Sequence, residues 1–185
     1  MAVPLTLHTE RLTLRQFAPD DWRALHAHYS DLECTRHTFG RPLSEGESWR
    51  AMASMVGHWQ LRGYGPYAVV EDATSAVVGT VGLWYPNDWP EPEIKWALVR
   101  RAWGKGYARE AAKAVQRMAI EHFGKPPISL IGVENLPSIK VALGVGAEFE
   151  REMLFRGNPC NIYRHPGMVG NGVSNGPAAG GLGVP

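Results

Sequence analysis

The sequence predicts an α+β domain built on a mixed, mostly antiparallel sheet of about seven strands flanked by about four helices. Three observations carry that expectation. Short runs rich in β-branched and aromatic residues alternate with amphipathic stretches of helical period. A polar turn, Asp72-Ala73-Thr74-Ser75, separates two such runs as a hairpin would, and an apolar strand from Glu93 to Val99 runs through a glycine turn into a helix.

Leu12 to Phe17 alternates apolar and polar residues as a strand, and Ala18-Pro19-Asp20-Asp21 supplies the proline and carboxylates that open a helix. Ser44-Glu45-Gly46-Glu47 matches a capping box ahead of Trp49, Met52, Val56 and Trp59 at helical spacing, so a second helix should end near Gly63. Tyr67 to Glu71 and Val77 to Tyr85 form the hairpin, and the loop Pro86 to Pro92 interrupts the pattern. Glu93 to Val99 is strand, Gly106 to Phe123 helix, Ile128 to Val133 strand and Leu136 to Leu143 a short helix, with two more strands through His165. On the long helix Ala108, Ala111, Ala112, Val115, Ala119 and Phe123 form an apolar face, while Lys105, Arg109, Lys113 and Arg117 step by four along another. That basic stripe reads as a solvated face or as a neighbour of a ligand phosphate.

At 185 residues and 44% apolar content the chain fits a single domain, taken as residues 1–165. The segment 166–185, with seven glycines and three prolines, reads as a disordered tail. Lysine plus arginine (19) balance aspartate plus glutamate (18), so no global field draws the chain to nucleic acid or to a membrane surface. No apolar run is long enough to span a bilayer and the N-terminus lacks a secretory pattern, which points to the cytoplasm. Cys34 and Cys160 make no disulfide framework, and His26 and His28 face different directions of a helix, so no metal site is expected.

The richest segment is Arg101 to Ala108, RAWGKGYA. Gly104 and Gly106 allow positive φ, and the helix that follows presents unpaired amides and a dipole to an anion. The spacing is neither the Walker A pattern nor the dinucleotide fingerprint: no glycine stands at Arg109 and no Lys-Ser/Thr pair follows. A nucleotide hydrolase is therefore disfavoured.

That loop resembles the pyrophosphate loop of the GNAT family of acyl-CoA N-acyltransferases. Thr9-Glu10-Arg11-Leu12-Thr13-Leu14-Arg15 and Pro19-Asp20-Asp21 resemble the opening of its RimJ/RimL-like branch. Gly65-Pro66-Tyr67-Ala68-Val69 and Val78-Gly79-Thr80-Val81-Gly82 are similar to its central hairpin, Asn135-Leu136-Pro137-Ser138 to its N-x-x-S motif, and Gly146 to a glycine usual in that branch. Ala147-Glu148 stands where an aromatic more often follows the glycine, and Gly144 inside the last helix costs about 1 kcal/mol of helicity against alanine.

The resemblance implies the GNAT fold, acetyl-CoA as acyl donor and an amine acceptor, either a small molecule or a protein N-terminus. It implies that the strand end at Ala97 to Val99 splays at a bulge and pairs with the pantetheine arm, the amide of Leu98 or Val99 polarising the thioester carbonyl. The amides of Trp103, Gly104, Lys105, Gly106, Tyr107 and Ala108 would meet the pyrophosphate, with Arg101 and Lys105 as charge partners. Asn135 would bind pantetheine, and Ser138 would donate to the leaving thiolate; both are equally at home as helix caps. Glu93 is the first choice of base and an exposed strand end the plain alternative, with Glu150 and Glu152 as rivals. Trp84, Tyr85, Trp89 and Trp96 read as acceptor-pocket or core aromatics. Neither cysteine has a neighbouring base, so direct attack in a ternary complex is expected rather than a covalent route. A non-catalytic acyl-CoA sensor on the same fold is the alternative, and exposed sheet edges admit a homodimer.

Overall fold

The computed structural model describes residues 2–167; the tail lies outside the described residues from position 168 onward. The elements run β1 (Thr6–His8), β2 (Leu12–Arg15), α1 (Asp21–Tyr29), α2 (Leu32–Thr35), α3 (Glu45–Arg62), β3 (Pro66–Glu71), β4 (Ala76–Trp84) and β5 (Glu93–Leu98). After a 3₁₀ turn over Arg100–Ala102 come α4 (Tyr107–Phe123), β6 (Ile128–Gly132), α5 (Leu136–Gly144), β7 (Glu148–Phe155) and β8 (Asn158–Arg164). The strands form one sheet of eight in the order β1-β2-β3-β4-β5-β6-β8-β7. Every pairing is antiparallel except β5 with β6.

Most elements follow from local chemistry. The Ser44 hydroxyl accepts from the Glu47 amide (3.3 Å) while the Glu47 carboxylate accepts from the Ser44 amide (2.9 Å), and Gly63 at φ +72° closes α3. The sequence pattern does not predict β1 and α2: one is a three-residue edge strand, too short to show alternation, and the other a single turn capped by the Asp31 side chain.

Two cores form. Leu14, Val81, Leu83, Ile94 and Leu98 pack with Ala111, Ala112, Val115 and Met118 of α4, whereas Leu25, Tyr29, Met52 and Met55 of α1 and α3 pack with Val77 and Trp84. Neighbouring strand residues Leu83 and Trp84 belong to different cores, so alternation places the cores on opposite faces of the sheet. Ile94, Trp96 and Leu98 therefore face α4, and Glu93, Lys95 and Ala97 face α1 and α3. Phe123, expected on the apolar face of α4, is 45% exposed at the helix end.

Candidate active site

The site begins where β5 and β6 part. Their ladder holds a single register pair, Glu93 with Ile128, in which the Ile128 amide donates to the Pro92 carbonyl at 3.1 Å. A continuing parallel ladder would next bond the Leu130 amide to the Ile94 carbonyl. Two side chains take over that rung instead. The Leu130 amide donates to Glu93 Oε2 (3.1 Å), and Ser129 Oγ donates to the Ile94 carbonyl (2.9 Å). Both backbone groups are thus satisfied at the point of divergence, which lets the strands open without orphaned donors. Ser129 Oγ also meets His165 Nε2 at 3.0 Å, and burial pushes that imidazole down to about 4, so it is neutral.

Beyond the parting, β5 turns backbone groups toward the gap. The Val99 amide donates to the Val78 carbonyl at 2.9 Å, so Val99 and Val78 are a hydrogen-bonded pair and Leu98 and Trp96 direct their amides away from β4. Val99 N–H is committed to the sheet, so of the two amides expected to polarise the thioester Leu98 N–H is the one that faces the gap. The Leu98 carbonyl is held by His28 Nδ1–H and Trp103 Nε1–H, each at 2.9 Å. The expected bulge at Ala97 to Val99 is absent: the β4–β5 register is unbroken from Leu98 to Glu93, and the register shift lies between β3 and β4 at Val69/Val70. Gly79 (φ +153°) sits beside that shift, where a Cβ would collide with the Ala97 carbonyl. The strands diverge because β6 leaves, not because β5 bulges.

The glycine turn lies at the end of the same strand. Gly104 and Gly106 have φ +74° and +81°, a region that costs other residues about 1 kcal/mol or more. No side chain caps α4, and the first amide of its opening turn with a carbonyl partner is that of Glu110, to Gly106 at 3.0 Å. The amides of Tyr107, Ala108 and Arg109 stand at the open helix end. A Cβ at Gly104 would meet nothing within 4 Å, so open space faces the turn. These features fit an anionic diphosphate group. The Trp103 amide does not join them, because it donates to the Arg100 carbonyl (3.0 Å).

The turn is braced from outside. Glu71 is buried and accepts from Thr74 Oγ1 (2.6 Å), the Tyr107 hydroxyl (2.7 Å) and Lys105 Nζ (3.0 Å), and these donors pull its carboxyl down to about 2. Arg11 bonds the Lys105 carbonyl (3.0 Å) and Glu110 (2.8 Å) and lies over the Tyr107 ring. Lys105 thus already has a carboxylate, while exposed Arg101 reaches the Val77 carbonyl at 3.3 Å. Arg109 packs on Gly144, where any Cβ would overlap its guanidinium, so the helix-weakening glycine makes room for the α4–α5 contact. Arg11 and Glu71 stand in the sequence as an opening-motif residue and a strand end, with no pattern that links either to the glycine turn. The one available signal was an acidic residue ending the apolar run Tyr67 to Val70.

Across the gap stands α5. The Asn135 side chain accepts from the Ser138 amide (3.3 Å) and caps the helix. Ser138 Oγ accepts from Trp96 Nε1 at 3.3 Å, leaving the hydroxyl proton free to donate. Trp96 thereby spans from β5 to α5.

On the opposite face Glu93 is buried, with Trp89 Nε1 donating to Oε1 at 2.8 Å, so the exposed strand end does not apply. Burial raises its pKa, although the two hydrogen bonds oppose the shift. Trp89 is gripped by Phe155 (centroids 4.8 Å apart) and Arg156 (4.8 Å above its ring) of the β7–β8 turn. Glu150 is paired with Arg164 at 2.7 Å, which lowers its pKa, and Glu152 is exposed on β7; neither adjoins the gap. Burial raises both thiols, Cys34 to about 11, so neither is a thiolate nucleophile. No group of three or more metal-ligating side chains exists among the described residues, and no helix among them is long and apolar enough to cross a membrane.

A sheet that opens beside an uncapped glycine-helix turn defines an acyl-CoA-dependent transferase, and comparison with known proteins agrees. The family model described as an acetyltransferase (GNAT) domain matches residues 11–148. An uncharacterized N-acetyltransferase p20 from Bacillus licheniformis is 32% identical over 157 residues, covering 82% of this chain and 85% of that one. The crystal structure of an acetyltransferase from Agrobacterium tumefaciens superposes with TM-score 0.78 at 27% identity, over 90% and 96% of the two chains. RimL, a ribosomal α-N-protein acetyltransferase in complex with coenzyme A, shares the fold at TM-score 0.68 and 18% identity, over 89% and 97%. The chain belongs to the GNAT acetyltransferase family.

Proposed function

We propose that the chain is a RimJ/RimL-like N-acetyltransferase that moves acetyl to a primary amine, of a protein N-terminus or a small molecule, by direct attack in a ternary complex. The observation that supports this most is the gap between β5 and β6, which connects the face carrying the glycine turn to the face carrying Glu93.

Bound acetyl-CoA supplies an activated thioester. The amides of Gly104, Lys105, Gly106, Tyr107 and Ala108 hold its diphosphate, with Arg101 near the turn and Asn135 at the pantetheine. Leu98 N–H polarises the acyl carbonyl from the gap. Glu93, on the acceptor face, takes the amine proton through water as the N–C bond forms and the C–S bond breaks. Its raised pKa suits a base working near neutral pH. Ser138 Oγ–H donates to the departing sulfur while Trp96 fixes the oxygen. Residues 1–165 are the proposed catalytic domain, acting in the cytoplasm, with sheet edges open to a homodimer.

Calorimetry with acetyl-CoA and free CoA, followed by thiol release with a panel of amines and N-terminal peptides, tests the reading. Tight binding with turnover of at least one amine is expected. Absence of binding contradicts it, and binding without turnover of any amine returns the sensor alternative.

A further inference from the structure

We propose that Lys95 is the acceptor-recognising cation of this site, and that the amine acceptor carries a carboxylate beside its amino group. This inference rests on the acyl-transfer reading. Alternation puts Lys95 on the same face as Glu93, one side-chain position nearer the acyl end of β5. Its ammonium lies 4.9 Å from the Trp84 ring centroid and 4.0 Å from Met55 Sδ, neither of which is an anion. Among the described residues no carboxylate lies within salt-bridge distance of it, whereas Arg100 and Arg156 each have an aspartate.

The same-face acid, Glu93, is engaged by Trp89 and the Leu130 amide; it makes no ion pair with Lys95 and acts on it only through its field, which favours the charged ammonium and opposes the desolvation. Lys95 is half-buried, and desolvation lowers its pKa. A desolvated cation without a contacting anion is costly, and a ligand carboxylate offsets that cost. The platform beneath is fixed. Trp84 stacks on His58 (centroids 4.8 Å apart), whose Nδ1–H donates to the Tyr64 carbonyl (2.8 Å) and whose Nε2 accepts from the Tyr85 amide (2.9 Å).

A compact single ammonium suits a monoanion. It also opposes polyamines, whose second positive charge would meet it. The chemistry recognised is an amine close to a carboxylate, found in free amino acids and in peptides that begin with Asp or Glu.

The test compares kcat/KM for matched pairs: amino acids against their amides, and peptides beginning with Asp or Glu against those beginning with Asn or Gln. Wild type should favour the carboxylate member of one series by roughly 10- to 100-fold. Lys95→Met should bring that ratio to within about 3-fold, mainly by raising KM for the acids, and Lys95→Arg should retain part of the preference. Acetyl-CoA titration of Lys95→Met checks that the variant is folded. Equal turnover of acids and amides by wild type, or a preference that survives in Lys95→Met, overturns the inference.

Should wild type bind acetyl-CoA and turn over no amine, the acyl-transfer reading fails by itself. Lys95 is then judged by thermal shift of the CoA-loaded protein with N-acetylated amino acids against their amides. Stabilisation by the acids that disappears in Lys95→Met upholds an anion site, and equal stabilisation by acid and amide removes it.

Discussion

The two faces of the sheet are built by different means. On the α4 side the glycine turn works through backbone: two residues at positive φ, an uncapped helix and a brace of Glu71, Tyr107 and Arg11 that keeps the loop in shape. On the α1 and α3 side the candidate site is made of side chains, Glu93, Lys95, Trp84 and Trp89, which hold one another and are tied from a distance by Leu130 and Phe155. In the proposed reading the acyl donor is met by backbone, which tolerates change in most side chains, and the acceptor by side chains, which substitution alters singly. Breaking one face should leave the other working.

The largest effect is expected from Gly106→Trp, which forces a bulky residue to φ +81° in the turn. Acetyl-CoA affinity should fall by about 100-fold or more in calorimetry, with the fold intact by circular dichroism. Trp89→Phe acts on the opposite face. Losing the Trp89 hydrogen bond to Glu93 should lower kcat/KM by about 10-fold and leave acetyl-CoA binding alone. That bond favours the ionised carboxylate, so its loss raises the Glu93 pKa further, and the acid limb of the rate profile should move to higher pH.

Ser138→Ala sits between the faces. A fall in kcat of about 5-fold, at constant affinity for acetyl-CoA, would mark a donor to the leaving sulfur rather than a cap, since Asn135 does the capping. The smallest effect concerns the brace. Glu71 is held down to about 2 from an ordinary 4.5, so its ionised form adds stability that is complete above about pH 4.5 and is lost as pH falls toward 2. Wild type should melt above Glu71→Gln at neutral pH, and the difference should close near pH 2 in a thermal melt series.

The same contrast explains what could be read from the chain. The glycine turn, the capping box at Ser44 and the stop at Gly63 were legible because each satisfies a local rule of φ or of unpaired amides. The hairpin and β5 were legible from composition and alternation. Glu93 could be picked out as a candidate, yet its burial depends on Trp89 and Leu130, and Leu130 is 37 positions away. The opening of the sheet was expected as a bulge in β5, whereas it arises from Glu93 and Ser129 replacing a rung, a pairing no local pattern encodes. Glu71 and Lys105 meet across 34 positions, and Lys95 gains meaning only once Trp84 and Met55 surround it without an anion.

The most direct test of the account is the pH dependence of kcat/KM for wild type and Glu93→Gln, with acetyl-CoA affinity measured alongside. The account predicts an acid limb in wild type above the ordinary glutamate value of 4.5, since burial raises Glu93 and only its ionised form accepts a proton. In Glu93→Gln that limb should vanish and the plateau should fall by about 100-fold, with acetyl-CoA binding within about 2-fold of wild type. Superimposable profiles, or loss of acetyl-CoA binding in the variant, would contradict the division of labour between the two faces.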